Sequence, residues 1–372
     1  MNSGNQPTWG SEVPIRVQPQ TAARSLLSRR EFVVTGVVGA LGLTLFPAAC
    51  GGAATSSATT LNLGLSIPFL TTPFFVVMET FTRRDISQQH AKMVQPTNAN
   101  QDAGRQITDV HTLIDTGANG ILAGVVDNKA IIPALNYAQQ KKVPFIIFDD
   151  APAGGHVYVV VRADNLNMGQ QAAAQMGKLM NGKGKVLSLL GDQSTTNGRD
   201  RTNGFNQYMH AHYPNIQIVE KPTKWQTPMA ADATETSLIA NPDIAGIYMQ
   251  SDSVMLAAVT QVLQRHGKFN PIGESGHINL VSIDGTPEAL DAIRAHQLDA
   301  LISQPLDLYA LWGIKYLSQA VQGKQVQTGK TDHNSKIVDY MGNKMDLLPS
   351  PLVTINNVSD GALWGNDPSA RK

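Results

Sequence analysis

The chain has one cysteine, Cys50, in 372 residues, so no disulfide framework holds it together. It also lacks a charge excess. Its 29 basic and 29 acidic residues balance, and without a clustered basic surplus nucleic acid is excluded as a partner. Aromatic residues make up only 6%. No internal repeat is present. Enzyme signatures are also missing. "GKQVQTGKT" (323–331) has five residues between its glycines where a phosphate loop has four, and it follows a helical stretch where a strand is required. "GESGH" (273–277) lacks the spacing of a nucleophile elbow. The nine histidines form no HExxH, and His210 and His212 stand two apart, a poor spacing for metal ligands on one helix face. The expectation is a protein without cofactor, metal or catalytic residues.

What is present begins with an export segment. "SRREFVV" (28–34) sets Arg29 and Arg30 before an uncharged run that ends in Ala-Ala-Cys50. Paired arginines, an apolar stretch and small residues before a cysteine read as a twin-arginine, lipoprotein-type signal over residues 1–49. Cys50 is then the lipid attachment site and the tie to the membrane. Pro47 departs from the aliphatic residue usual there, and an uncleaved membrane anchor over residues 32–49 is the alternative. Both readings place the globule outside the cytoplasm. Removal of residues 1–49 takes away four arginines and two glutamates and leaves a net charge of −2. Residues 50–60, small and polar, read as a flexible tether.

From residue 61 short apolar runs alternate with amphipathic stretches of helix length, the pattern of parallel sheets covered by helices. Strands are predicted at 61–66, 91–96, 120–126, 143–149 and 157–163, and again at 185–191, 216–222, 244–250, 278–284 and 298–304. Two similar halves result. Between strands, segments such as 102–116 carry Ile107, Val110 and Ile114 at helical spacing, with Gly117 placed to end the helix.

In open parallel sheets ligands bind beyond the carboxyl ends of the strands. Those ends are polar here: "TTPFF" (71–75), Asp149-Asp150, Asp164-Asn165, "GRDRTNGF" (198–205), Trp225, "QSDS" (250–253), "DGTP" (284–287) and "SQP" (303–305). Thr72 can cap a helix whose first turn holds Pro73 and both phenylalanines. Phe74 shares a stripe with Val77, Met78 and Phe81, a core pattern. Phe75 lies about 100° round, on a stripe with Met78, Glu79 and Thr82 that core packing explains less well. Position alone leaves either phenylalanine open to both roles. The aspartates have a structural reading too, since Asp is common at turns and caps.

The order TTPFF, IIFDD, ADN, RDRTNGF, SIDGTP and SQP resembles the ribose-binding-protein family, the type I sugar-binding proteins of bacterial ABC importers, over roughly residues 61–330. The resemblance implies an α/β protein of two similar lobes, each a parallel sheet flanked by helices, joined by hinge crossovers with the ligand cleft between them. Residues 61–163 with 305–330 would form the first lobe and 164–304 with 331–357 the second, leaving 358–372 as a tail over the hinge or second lobe. Phe74, Phe75 and Trp225 would lie against the sugar ring. Asp149 and Asp284 would accept from its hydroxyls, Arg201 would donate to them, and Gln304 would contact the ligand at the hinge, where Asp164 and Asn165 form the first crossover. Lobe closure would present a monomeric, loaded protein to a permease and its ATPase.

Three departures bear on the ligand. Asp150 stands where the pattern has arginine, Thr72 where it has asparagine, and Ser251 where it has asparagine. The cleft loses donors and gains a carboxylate, so the expected ligand is richer in donors than ribose: another pentose, a polyol or an amino sugar. A sensor feeding a membrane receptor or kinase is the alternative to transport. A glycosidase using Asp149 and Asp284, and a repressor-type effector domain, rank below both.

Overall fold

The computed structural model describes residues 60–89 and 91–371. The signal segment, Cys50 and all of the tether but Thr60 lie outside the described residues. The first half runs β1 (Asn62–Ile67), α1 (Pro73–Gln88), β2 (Lys92–Met93), β3 (Thr97–Asn98), α2 (Ala103–Asp115), β4 (Gly120–Ala123), α3 (Ile132–Gln140), β5 (Phe145–Phe148) and β6 (Val159–Ala163). The strand expected at 91–96 is split, because Pro96 has no N–H to donate to the ladder; β2 and β3 meet β1 on either side of it. The second half runs α4 (Asn165–Leu179), β7 (Gly184–Leu190), α5 (Thr196–His212), β8 (Ile216–Pro222), α6 (Thr227–Ala240), β9 (Ile244–Met249), α7 (Asp252–Arg265), β10 (Asn279–Asp284), α8 (Pro287–Arg294) and β11 (Ala300–Ser303). There follow α9 (Leu306–Val321), β12 (Gly329–Lys330), β13 (Lys336–Tyr340), β14 (Asn343–Leu348) and β15 (Leu352–Val353), and two short 3₁₀ turns at Trp364–Asn366 and Pro368–Arg371.

The two sheets repeat one topology. The first is ordered β2-β1-β4-β5-β6 and the second β8-β7-β9-β10-β11, all parallel, so in each the strand order reverses beside its first strand. That reversal opens a crevice at the carboxyl ends of the strands. Strands β4, β5 and β6 are buried throughout, as expected of sheets covered on both faces. In α1 the stripe Phe74, Val77, Met78 and Phe81 is buried, each side chain contributing about 1.5–3 kcal/mol by leaving water.

The placement of 331–357 in the second lobe is corrected. Strands β13 and β14 form a hairpin through Met341 and Gly342, both at positive φ, and β14 adds to the first sheet beside β6. Without that hairpin β6 would be an unpaired edge; β14 covers it. Only β15 joins the second sheet, antiparallel to β11.

Three chain crossings link the lobes, after β6, after β11 and between β14 and β15. One buried chain of hydrogen bonds ties the first two. Ala163 N–H donates to the Tyr309 hydroxyl, which donates to Gln304 Oε1, whose Nε2 donates to Asp284 Oδ1. In the second lobe α4 and α5 pack at backbone contact. A methyl group at Gly204 would sit 2.1 Å from the Leu166 carbonyl oxygen, and one at Gly169 2.4 Å from that of Arg201. Because α5 carries Arg201, Gly204→Ala is expected to push the two helices apart and cost about 1–3 kcal/mol, read as a lower urea midpoint with unchanged slope.

Candidate functional site

The ends of β1, β5, β7, β9, β10 and β11 converge on a cleft of about 640 Å³, counted to its open mouth. Thr72, Phe74, Phe75, Asp149, Asp150, Arg201, Trp225, Ser251, Asp284 and Gln304 all line it. The motifs therefore meet in one place, although 232 positions separate Thr72 from Gln304 in the chain. The lobes touch around it. Phe74 N–H donates to Ser253 Oγ at 3.3 Å and Asn128 Nδ2 to Thr196 Oγ1 at 2.8 Å, while Arg162 on β6 donates to Asn197 Oδ1 at 2.8 Å and Asp200 Oδ2 at 2.9 Å on α5.

One wall is aromatic. Thr72 occupies the N-cap position of α1, but its hydroxyl makes no cap bond; Pro73 supplies the fixed φ of the first turn. Phe74 and Phe75 meet edge to face with centroids 5.1 Å apart, and Phe69 lies against Phe75 at 4.7 Å. Both are buried on one side and line the cleft on the other, so packing and cleft roles coincide. Opposite, Trp225 rests on Gly191, where a methyl group would fall 1.9 Å from the indole ring. The Arg201 guanidinium lies 5.7 Å from the Trp225 ring centroid.

Arg201 is buried and fixed from three sides. Its Nε donates to Asn165 Oδ1 at 2.7 Å, its Nη1 to the Gln250 carbonyl at 2.5 Å, and the same Nη1 stands 3.6 Å from Asp284 Oδ1. Asn165 is thus the residue that orients Arg201. Asp164, by contrast, caps α4 by accepting from Asn167 N–H and faces solvent. Ser251 donates to Asp284 Oδ2 at 2.5 Å, which with Gln304 on Oδ1 leaves Asp284 held on both oxygens. Asp252, next to Ser251, does not line the cleft. Its carboxylate accepts from Ser282 Oγ, Gly285 N–H and the N–H and hydroxyl of Thr286, pinning the loop after β10. Burial and the neighbouring Asp284 charge push its pKa up to about 7.

The two adjacent aspartates differ. Asp150 is buried and accepts from Ala151 N–H at 2.8 Å and Asn128 at 3.4 Å; burial raises its pKa, and Arg162 opposes the rise. Asp149 is half-buried, yet its Oδ1 is shielded from water and has no hydrogen-bond partner among the described residues. Burial pushes its pKa up to about 7, with Arg201 pulling down and the Asp150 and Asp284 charges pushing further up. Its backbone is at φ +70°, Asp284 is at +124° and Trp225 at +55°. Side chains rarely adopt this left-handed region, and such strained residues gather at ligand clamps. Sequence reasoning missed Phe69, Val125, Val126, Thr195, Asn197 and Val254 in the cleft lining. Phe69 lies in the loop after β1, where no periodicity marks it, and Asn197 was signalled only by its place in the first turn of α5.

Fold and cleft define the two-lobed, hinge-linked class of type I periplasmic binding proteins. The chain belongs to the periplasmic binding protein domain family, whose pattern matches residues 63–325. It is 27% identical over 266 residues to a ribose import binding protein of Salmonella typhimurium, an alignment covering 72% of this chain and 86% of that protein. A xylitol-binding protein of Mycolicibacterium smegmatis is 25% identical over 301 residues, covering 79% of this chain and 80% of that protein. Among solved structures, an ABC transporter solute-binding protein from Mycobacterium smegmatis with bound glycerol superposes with a TM-score of 0.70 at 25% identity, covering 81% of this chain and 96% of that one.

A carboxylate whose folded pKa lies above its unfolded value adds stability at low pH and loses it as pH rises through the folded pKa. Ligand-free protein should therefore lose the Asp149 contribution between about pH 4 and 7. Asp149→Asn should flatten this part of the profile, leaving the variant relatively more stable at pH 8 than at pH 5, as read from thermal midpoints.

Proposed function

We propose that the cleft captures a small, neutral, hydroxyl-rich molecule, a pentose, polyol or related monosaccharide, by closure of the two lobes. The observation that carries this reading is the pairing of Asp149 Oδ1, shielded and without a donor, with the fixed Arg201 between the phenylalanine wall and Trp225. A sugar or polyol supplies hydroxyl protons for the carboxylate, lone pairs for the guanidinium and C–H faces for the rings. Asp149, Asp150 and Asp284 set three carboxyl groups against one arginine that already faces Asp284, a lining rich in acceptors that suits a neutral ligand with many donors better than a sugar acid or sugar phosphate.

As a member of its family the protein is a solute-binding protein that works outside the cytoplasm and delivers its ligand to an ABC transporter. In our reading it acts as a monomer, without cofactor or catalysis, handing the ligand to a permease and its ATPase. Arg29, Arg30 and the Ala-Ala-Cys50 ending support export through the twin-arginine route and a lipid on Cys50 that holds the protein to the membrane. Among the described residues no helix is long and apolar enough to cross a membrane. Cys50→Ser should then move the exported protein from the membrane fraction to the soluble one; retention at the membrane would instead favour the uncleaved anchor.

The ligand test is a thermal-shift screen against pentoses, hexoses, polyols, amino sugars and sugar phosphates, followed by titration calorimetry. A ligand at a hundred times its Kd adds about 2.7 kcal/mol of apparent stability, a shift easily seen. A response confined to one neutral class is expected, with Asp150→Asn weakening that ligand about tenfold or more by loss of a charged acceptor. Silence across the panel, or a preference for phosphates, would refute the reading; unchanged affinity in Asp150→Asn would remove Asp150 from ligand recognition.

A further inference from the structure

Residues 354–371 lie beyond the segment that matches the family, and they touch both lobes. On the second lobe they are fastened to α8: Arg294 donates to the Val358 carbonyl and to Asn366 Oδ1, and Arg371 donates to both oxygens of Asp291. On the first lobe they reach α1. Arg84 donates to Asp367 Oδ2 at 2.7 Å, and the last 3₁₀ turn packs against that helix with Ala370 buried. Between these ends the segment passes under the cleft. Trp364 is fully buried; its indole N–H donates to the Asp284 carbonyl at 2.9 Å, and its ring meets Phe74 at right angles, centroids 6.4 Å apart. Gly365 lies so close to the loop after β10 that a methyl group there would be 2.4 Å from the Gly285 carbonyl oxygen.

We propose that residues 354–371 form a clasp, carried by the second lobe through α8, that grips α1 of the first lobe in the closed state and sets Asp284 and Phe74 through Trp364. The second-lobe contacts survive any hinge rotation because α8 and the segment move together. The Arg84–Asp367 pair and the Ala370 and Trp364–Phe74 contacts instead cross from one lobe to the other and are made only when the lobes meet. The clasp therefore adds to the closed state alone, and by linkage whatever favours closure also slows ligand escape. Trp364 acts as a positioning residue, since it touches the backbone of one cleft residue and the ring of another from behind. The inference rests on the closing cleft of the proposed function but not on the identity of the ligand.

The test measures the distance between lobes in the full chain carrying Cys50→Ser, with spin labels at Thr108→Cys on α2 and Ile239→Cys on α6. Both labelled positions are exposed, lie on different lobes and stand clear of the clasp. In ligand-free protein Asp367→Asn should lower the closed-to-open ratio about two- to fivefold, the range open to a partly exposed ion pair, and Asp367→Glu should restore much of it. Identical distance distributions for the parent and Asp367→Asn would overturn the clasp. Ribose and xylitol, added to saturation as probes, test the other reading. If neither shortens the distance in the parent, those sugars are wrong for this cleft, while the ligand-free comparison still decides the clasp.

Discussion

A single buried guanidinium holds the cleft together. Among the described residues Arg201 is the only cation that lines it, and Asp149, Asp150 and Asp284 line the same space. Three like charges in one partly enclosed site repel one another, and burial penalises each ionised form. The chain balances this by making Arg201 rigid. Asn165 at the first crossover and the Gln250 carbonyl at the end of β9 fix its fork, and the backbone contact of α4 with α5 fixes the helix that carries it. Asp284 is then satisfied by Ser251, Gln304 and Arg201. Asp150 takes its side-chain hydrogen bonds on Oδ1, from Asn128 and the Ala151 N–H, and lines the cleft beside Asp149. Asp149 Oδ1 has no donor among the described residues, and a hydroxyl-rich ligand would supply one.

Closure follows from where the supporting bonds lie. The hydrogen-bond chain from Ala163 through Tyr309 and Gln304 to Asp284 runs along the hinge, so the hinge geometry and a cleft carboxylate are one unit. Elsewhere between the lobes, Asn128 with Thr196, and Arg162 with Asn197 and Asp200, join side chains of different lobes. These pairs favour the closed arrangement but exchange readily for water when the lobes part, as a capture and release cycle requires.

Much of this was legible in the sequence. Asp149, Asp284 and Gln304 could be placed at the ends of parallel strands by period, whereas their ligand roles, and those of Phe74, Phe75 and Arg201 on the helices that follow, came from the resemblance carried by the order of the motifs. What escaped reading depended on contacts between distant segments. No local pattern distinguishes Asp252, which pins a loop, from Asp284, which faces the cleft; partner atoms decide that. The hairpin β13–β14 was assigned to the second lobe because a strand's sheet is chosen by the edge it covers, here that of β6, and not by its own composition. Trp364 belongs to the same class: its neighbours Phe74 and Asp284 lie 290 and 80 positions away.

Ligand recognition turns on Asp149, whose Oδ1 has no donor among the described residues. Carbon-13 NMR of the aspartate carboxyls, assigned through Asp149→Asn, measures its titration directly in free protein and in protein saturated with the ligand that the screen selects. Asp149 is expected to titrate near pH 7 in the free protein, with a midpoint that falls by about a unit or more when ligand hydroxyls bond to the ionised carboxylate. A midpoint that stays where it was on saturation would contradict this, because Asp149 would then not touch the ligand.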